Sequence, residues 1–213
     1  LHWAARRSHI EVAKLLLSRK AKTDNRDSNG ETALFYAVQN GDEDMAALFI
    51  GDGTSLDLLN DSGNSCLHLA VKGDNINIVR SLCNTGADIY IRDSERNTPF
   101  HHAARLGNND LVQFFIDQGI DFDVKNGNGD SAIHRCAAAG FTATIALLLD
   151  QGGNVQCKNT FGDTPLHACA YSGEKGMLEF LLERGANINA KNDWGETPLH
   201  NAAVAGRYNA VKI

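Results

Sequence analysis

Bulky and small apolar residues recur along this chain at a fixed period of 33 residues. A bulky side chain comes early in each unit, and a small residue follows three positions later on the same helical face. The bulky residues are Leu1, Leu34, Leu67, Phe100, Ile133, Leu166 and Leu199. The small residues are Ala4, Ala37, Ala70, Ala103, Cys136, Cys169 and Ala202. Because such pairs let helices approach closely, the pattern predicts a solenoid in which each unit stacks on its neighbours.

Polar residues and glycines occur at constant positions in each unit. A hydroxyl residue, suited to a helix N-cap, lies two residues before the bulky position in six units: Thr32, Ser65, Thr98, Ser131, Thr164 and Thr197. Glycine ends the first helix in five units, and Ser8 and Asp74 replace it in two. A second apolar helix follows, as in residues 45–50 and 177–182, and then a connector rich in Gly, Asn and Asp. Each unit is therefore predicted to be helix, turn, helix and hairpin.

The register divides residues 1–213 into seven units of one array. These are residues 1–26 (partial), 27–59, 60–92, 93–125, 126–158, 159–191 and 192–213 (partial). Neither end carries the polar capping repeat that solenoids need for solubility. We therefore expect the sequence to be an excerpt from a longer protein.

Six of the eight histidines share one phase of the repeat. They are His2, His68, His101, His134, His167 and His200, and Phe35 stands at the one missing place. Metal ligands must converge, whereas stacked helices would hold successive histidines about 8–10 Å apart. No metal site and no cofactor is therefore predicted.

Two units carry a recognisable motif. Thr164-Pro165-Leu166-His167 and Thr197-Pro198-Leu199-His200 flank the segment Gly185-Ala186-Asn187-Ile188-Asn189-Ala190. The chain resembles the ankyrin repeat family in these residues and in its period. The match is weakest early, where Lys20, Ala21 and Lys22 replace the usual Gly-Ala-Asp and Phe35 replaces histidine.

The resemblance implies an all-α solenoid of stacked helix-turn-helix units with β-hairpin-like loops. It implies that each phased histidine forms hydrogen bonds locally and braces the start of its helix. It also implies a protein-protein interaction scaffold that binds a partner protein or extended peptide on the concave surface of hairpins and first helices. The alternatives are a structural or elastic spacer, or a regulatory or substrate-recruiting array within a larger channel, sensor NTPase or enzyme.

Composition narrows the classes of partner. The net charge of −6 and the pI of about 5.7 argue against nucleic acid. No apolar run is long enough for a membrane span, and no secretory signal is present. Cys136 and Cys169 share one phase in adjacent repeats, too far apart for a disulfide, so reduced thiols are expected. We expect a monomeric array inside the cell, in the cytoplasm or alternatively the nucleus.

No catalytic motif is recognisable. The chain lacks a nucleophile elbow, a phosphate-binding glycine loop and zinc-ligand spacing. The acidic stretch 121–130 falls at the hairpin phase and fits no register of a calcium-binding loop. The sequence therefore indicates a protein that is not an enzyme.

The candidate contact residues are those that break the repeat. Phe161 and Trp194 occupy the same hairpin place in successive units, and Tyr171 is expected on the same side. Aromatic side chains are enriched at binding hot spots, so these three form the first candidate surface. Packing of the rings on a neighbouring hairpin is the alternative.

Two further groups are candidates. Trp3, Tyr36 and Leu69 share one phase, and Leu59 interrupts a basic row, although burial between repeats is favoured for them. The basic row consists of Arg26, Arg92, Lys125, Lys158 and Lys191 and is expected to pair with neighbouring acids such as Asp93 and Asp123. The alternative is an acidic partner segment bound by Arg92, Arg105, Lys125, Arg135 and Lys158.

Overall fold

The computed structural model describes residues 1–212; Ile213, the last residue of the seventh unit, lies outside them. The described residues form fourteen helices and contain no β-strand. The helices are α1 (His2–Arg6), α2 (Ile10–Ser18), α3 (Ala33–Gln39), α4 (Glu43–Gly51), α5 (Cys66–Lys72), α6 (Ile76–Asn84), α7 (Pro99–Leu106), α8 (Asn109–Asp117), α9 (Ala132–Ala139), α10 (Thr142–Asp150), α11 (Pro165–Ser172), α12 (Lys175–Glu183), α13 (Pro198–Val204) and α14 (Tyr208–Val211). They form seven helix pairs, one for each unit.

The chain divides into two compact units, Leu1–Pro99 and Phe100–Ile213. In the first, α1 packs on α3 and α3 on α5, while α2 packs on α4 and α4 on α6. In the second, α9, α11 and α13 form one such row, and α8, α10, α12 and α14 form the other. Like helices therefore stack on like helices within each unit, as a helical-repeat solenoid requires.

The core consists of the bulky and small residues of the periodic pattern. Leu34 and Leu67 are fully buried in the first compact unit, and Ile133 and Leu166 are buried in the second. Their small partners, among them Ala37 and Cys136, are fully buried as well. Leu199 in α13 differs, since about half of its surface is exposed. The predicted pairing of large and small side chains is otherwise confirmed.

The hydroxyl residues begin the first helices as predicted. Ser65, Ser131, Thr164 and Thr197 each form a capping box with the histidine three residues later. Thr32 begins α3 in the same way, but Phe35 replaces the histidine there. The Thr32 Oγ1 atom is buried and finds no hydrogen-bond partner among residues 1–212.

The connectors are tight turns closed by an Asn or Asp side chain. In the hairpin that begins at Asn192, the Oδ1 atom of Asn192 accepts the main-chain N–H groups of Trp194 (3.1 Å) and Glu196 (2.9 Å). The main-chain N–H of Asn192 also donates to the Glu196 carbonyl at 2.9 Å. The residues in this place are Asp27, Asn60, Asp93, Asn126, Asn159 and Asn192. These turns fix the hairpin backbone without any strand.

Replacing Thr164 with Val should destabilise the protein more than replacing Thr32 with Val. Thr164→Val removes a hydroxyl that forms a capping box with His167, and loss of such a cap costs about 1 kcal/mol. Thr32→Val removes an Oγ1 atom without a partner and replaces it with a methyl group of similar size. Urea unfolding monitored by circular dichroism should show a lower midpoint for T164V and an unchanged or higher midpoint for T32V. Equal losses would show that the histidine does not strengthen the cap.

Candidate functional site

The phased histidines use both ring nitrogens within the scaffold. In His68, His134 and His167 the Nδ1 atom accepts the main-chain N–H of the cap residue at 3.1–3.3 Å. The Nε2–H group then donates to a carbonyl 29 residues ahead, in Asn97, Asp163 and Glu196 respectively, at 3.0–3.2 Å. Each of these imidazoles therefore joins a helix start to the next hairpin through hydrogen bonds of both ring nitrogens.

Burial shifts these imidazoles toward the neutral form. Desolvation lowers the pKa of His68, His134 and His167, because the charged imidazolium loses its hydration. The carbonyl that accepts from Nε2 acts in the opposite direction but is the weaker influence. The neutral form also leaves Nδ1 free to accept the N–H of the cap residue.

The free energy of unfolding should therefore fall as the pH is lowered from 7.5 to 5.5. The unfolded histidines have a pKa of about 6.5, above the lowered pKa of the folded state, so between the two values the unfolded chain binds more protons. Urea titrations at several pH values measure the slope. His167→Gln should be less stable but have a shallower slope. A wild-type midpoint that does not change over this range would contradict the effect of burial.

Phe161 and Trp194 lie at the tips of neighbouring hairpins and stack on each other. Their ring centroids are 5.6 Å apart and the planes differ by 20°. The main-chain N–H of Asp193 donates to the Phe161 carbonyl at 3.0 Å, which joins the two tips. Even so, 40% of Phe161 and 66% of Trp194 remain exposed. These two residues, here called the aromatic pair, both pack on a neighbouring hairpin and present surface to solvent.

Tyr171 lies on α11 with 58% of its surface exposed. Its carbonyl accepts a hydrogen bond from Nε of Arg207 at 3.0 Å. Within residues 1–212 no other aromatic ring contacts the Tyr171 ring. The structure therefore does not join Tyr171 to the aromatic pair by ring contact.

The lysines of the basic row are hydrogen-bonded along the hairpin side of the repeats. Lys125 Nζ donates to the carbonyl of Lys158, and Lys158 Nζ donates to that of Lys191, both at 2.9 Å. Neither bond is to a neighbouring acid. The hydrogen bonds join equivalent residues of consecutive units.

The other cations are held in different ways. Arg92 donates to the Arg96 carbonyl at 3.1 Å, within its own hairpin. Arg135 on α9 is half-buried, with a guanidinium nitrogen 3.9 Å from an oxygen of Asp130. Arg105 lies on the exposed side of α7.

Tyr36 and Trp3 line a hollow of about 370 Å³ in the first compact unit. The Tyr36 hydroxyl donates to Oδ2 of Asp27 at 2.6 Å, which raises the pKa of Tyr36 and lowers that of Asp27. Leu59 is exposed and its carbonyl accepts from Arg26, whereas Leu69 is half-buried. Of the candidates Trp3, Tyr36, Leu59 and Leu69, only Trp3 and Tyr36 line the hollow.

Arg6 is the lining residue that sequence reasoning missed. Its guanidinium carbon lies 5.4 Å from the Trp3 ring centroid and 6.0 Å from that of Tyr36. The signal was present, because Trp3 and Arg6 are three residues apart and helical residues at this spacing are neighbours.

Stacked helix pairs joined by short hairpins define a helical-repeat scaffold, a class that recognises other molecules with an extended surface. The chain belongs to the ankyrin repeat family. The family model for ankyrin repeats in three copies matches residues 1–93, 41–126, 100–192 and 133–213. Repeats of this family generally serve as protein-protein interaction modules. A search of curated proteins returns no significant match.

Solved structures share the fold at low sequence identity. The human ASB11 ankyrin repeat domain superposes with a TM-score of 0.85 at 20% identity, covering 99% of this chain and 96% of that one. The ankyrin repeat domain of Bcl-3, described as a unique member of the IkappaB protein family, gives a TM-score of 0.82 at 23% identity and covers 100% and 97%. These similarities establish the fold.

None of the helices within residues 1–212 has the length and apolarity that crossing a membrane requires.

Proposed function

We propose that this chain is a non-catalytic scaffold that binds a partner protein or an extended peptide on the surface formed by its hairpins and first helices. The observation that carries the proposal is the aromatic pair. Two large rings stand exposed at hairpin tips, where the stacking of helices does not require them. Large, rigid aromatic side chains dominate the binding energy of many protein interfaces.

The hairpin backbone supports this function because it is already ordered. The side chains of Asn159 and Asn192 each accept two main-chain N–H groups, which holds the tips beneath Phe161 and Trp194. Stacking further restricts both rings. Binding of a partner would therefore require little further ordering of this surface. The smaller loss of conformational entropy favours affinity.

The side chains that could act as nucleophiles or bases favour a non-catalytic scaffold. The thiols of Cys136 and Cys169 are buried, and desolvation raises the pKa of each to about 12. A thiol with such a pKa is a poor nucleophile at neutral pH. The buried phased histidines His68, His134 and His167 are hydrogen-bonded within the scaffold. We infer an intracellular location for the protein, in agreement with thiols in this reduced form.

Replacing both Phe161 and Trp194 with Ala should abolish binding of the partner. Quantitative affinity capture with the full chain, followed by mass spectrometry, should find one or more proteins enriched by wild type and reduced about tenfold or more by F161A/W194A. Tyr208→Ala is the matched control, because Tyr208 is a similarly exposed aromatic residue on α14. Tyr171→Ala tests whether α11 also contributes.

Helical content and thermal midpoint should be the same in all variants, since the replaced side chains are exposed. Capture that is unchanged in folded F161A/W194A would refute the aromatic pair as the contact surface. In that case the alternative of a structural spacer would gain support.

A further inference from the structure

The first repeat differs in charge from the rest of the chain. Residues 1–26 contain seven Lys or Arg and only two Asp or Glu, a net charge of +5, although the whole chain carries −6. Four of these cations are exposed and form no ion pair within residues 1–212: Arg7, Arg19, Lys20 and Lys22. The first repeat is therefore a basic region on an otherwise acidic protein.

A hollow lies between α1 of this basic repeat and the hairpin that follows it at residues 27–30. It is lined by His2, Trp3, Arg6, Asp27, Ser28, Asn29 and Tyr36. Trp3 has 69% of its surface exposed, and the edge of the His2 ring packs against Tyr36 at a centroid distance of 6.1 Å. Aromatic walls and polar hairpin atoms thus surround a space of about 370 Å³, within the range of ligand-binding clefts.

The acids near the hollow are already hydrogen-bonded. Asp27 accepts main-chain N–H groups of Asn29 and Glu31 on Oδ1, at 2.8 and 3.0 Å, and the Tyr36 hydroxyl on Oδ2. Glu31 Oε1 accepts from the side-chain amides of Gln39 and Asn60. Both carboxylates keep their charge, but their oxygens already accept from donors within the first compact unit.

In contrast to these acids, Arg6 has a charged group whose hydrogen-bonding atoms are unused within residues 1–212. Its guanidinium group lies against the rings of Trp3 and Tyr36 but forms no hydrogen bond or ion pair within residues 1–212. A guanidinium group has five N–H donors in a planar fork that matches a carboxylate. The two rings hold this fork beside the hollow while its donors stay open.

We propose that the hollow binds an aspartate or glutamate side chain of an acidic, extended partner segment, with Arg6 as its bidentate ligand. Trp3 then offers an apolar surface to the neighbouring residue of the segment. Arg7, Lys20 and Lys22 attract the segment electrostatically, which raises the association rate more than the affinity.

The distribution of charge favours a peptide over nucleic acid. A nucleic acid presents phosphates along its whole length and needs cations along its path. Residues 27–213 carry a net charge of −11, by difference, and would repel such a polymer. A short acidic peptide needs only the basic first repeat. This site does not depend on the aromatic pair, which belongs to the other compact unit.

Fluorescence anisotropy with the full chain tests the proposal. The probe is a labelled 12-residue peptide of repeating Gly-Glu-Leu, compared with the Gly-Gln-Leu peptide of equal length. The glutamate peptide should bind about tenfold more tightly. Arg6→Gln should remove most of this preference, and Arg6→Lys should restore only part of it because an ammonium group lacks the planar fork. Arg19→Gln, which removes the same charge from the same repeat outside the hollow, should change the affinity less than about twofold.

An NMR measurement and a binding measurement on a second variant also test the proposal. Addition of the glutamate peptide should shift the NMR signals of the Trp3 indole N–H and the Arg6 Nε–H, and F161A/W194A should bind this peptide like wild type. Equal binding of the two peptides, equal losses in R6Q and R19Q, or tighter binding of a 12-nucleotide single strand would each overturn the proposal. Exposed Arg6 and Arg19 can be replaced without loss of helical content, which circular dichroism checks.

Discussion

The imidazole bond between one repeat and the next hairpin is the interaction on which the rest of the structure depends. Each such histidine fixes a helix start through Nδ1 and reaches a carbonyl 29 residues ahead through Nε2, as His134 and His167 do. An insertion within that interval would move the carbonyl away from the ring, so this hydrogen bond constrains the period in the repeats that carry the histidine. The same bond occupies the side chain that would otherwise be the first candidate for chemistry. This bond positions the hairpin tips and helix faces but does not involve their exposed side chains. Recognition of a partner is therefore expected from those side chains.

The second repeat shows what holds the array where this bond is missing. Phe35 fills the place of the histidine with a buried ring, and Thr32 Oγ1 consequently has no partner among residues 1–212. The neighbouring hairpin remains attached by another route, because the Asn60 side-chain amide donates to Glu31 Oε1 at 2.9 Å. The same bond joins Asn159 to Asp130 and Asn192 to Asp163. Where the histidine bond is missing, this second hydrogen bond still joins the two repeats, and at Asn159 and Asn192 both kinds of bond are present.

The repeat pattern predicted the structural features that depend on residue spacing within one repeat. It did not predict the features that depend on contacts between repeats. Helix order, caps and core follow from local spacing, so Thr164, Leu166 and Cys169 lie where the sequence placed them. The paired rings of Phe161 and Trp194 could be predicted as neighbours, but whether they would be buried, stacked or exposed depends on the distance between two hairpins. In the basic row, Arg26 lies 3.7 Å from Asp61, as the expected pairing with acids requires, whereas Lys158 reaches a carbonyl of the next unit. Arg6 was missed because the net charge was read for the whole chain rather than for each repeat.

Hairpin tips can vary for recognition because their backbone is fixed by atoms other than the variable side chains. The Asn or Asp that begins each hairpin accepts the main-chain N–H groups, so the residues two and three places later are not needed to close the turn. Arg96 gives the clearest case. It has a φ of 61°, in the left-handed region that glycine occupies in the other tips, yet its hairpin closes with the same main-chain bonds. A side chain in that conformation costs about 1 kcal/mol, and this hairpin closes in spite of that cost. Aromatic, polar or charged residues can therefore stand at the tips of different repeats, and one scaffold can present surfaces as different as a stacked aromatic pair and a basic hollow.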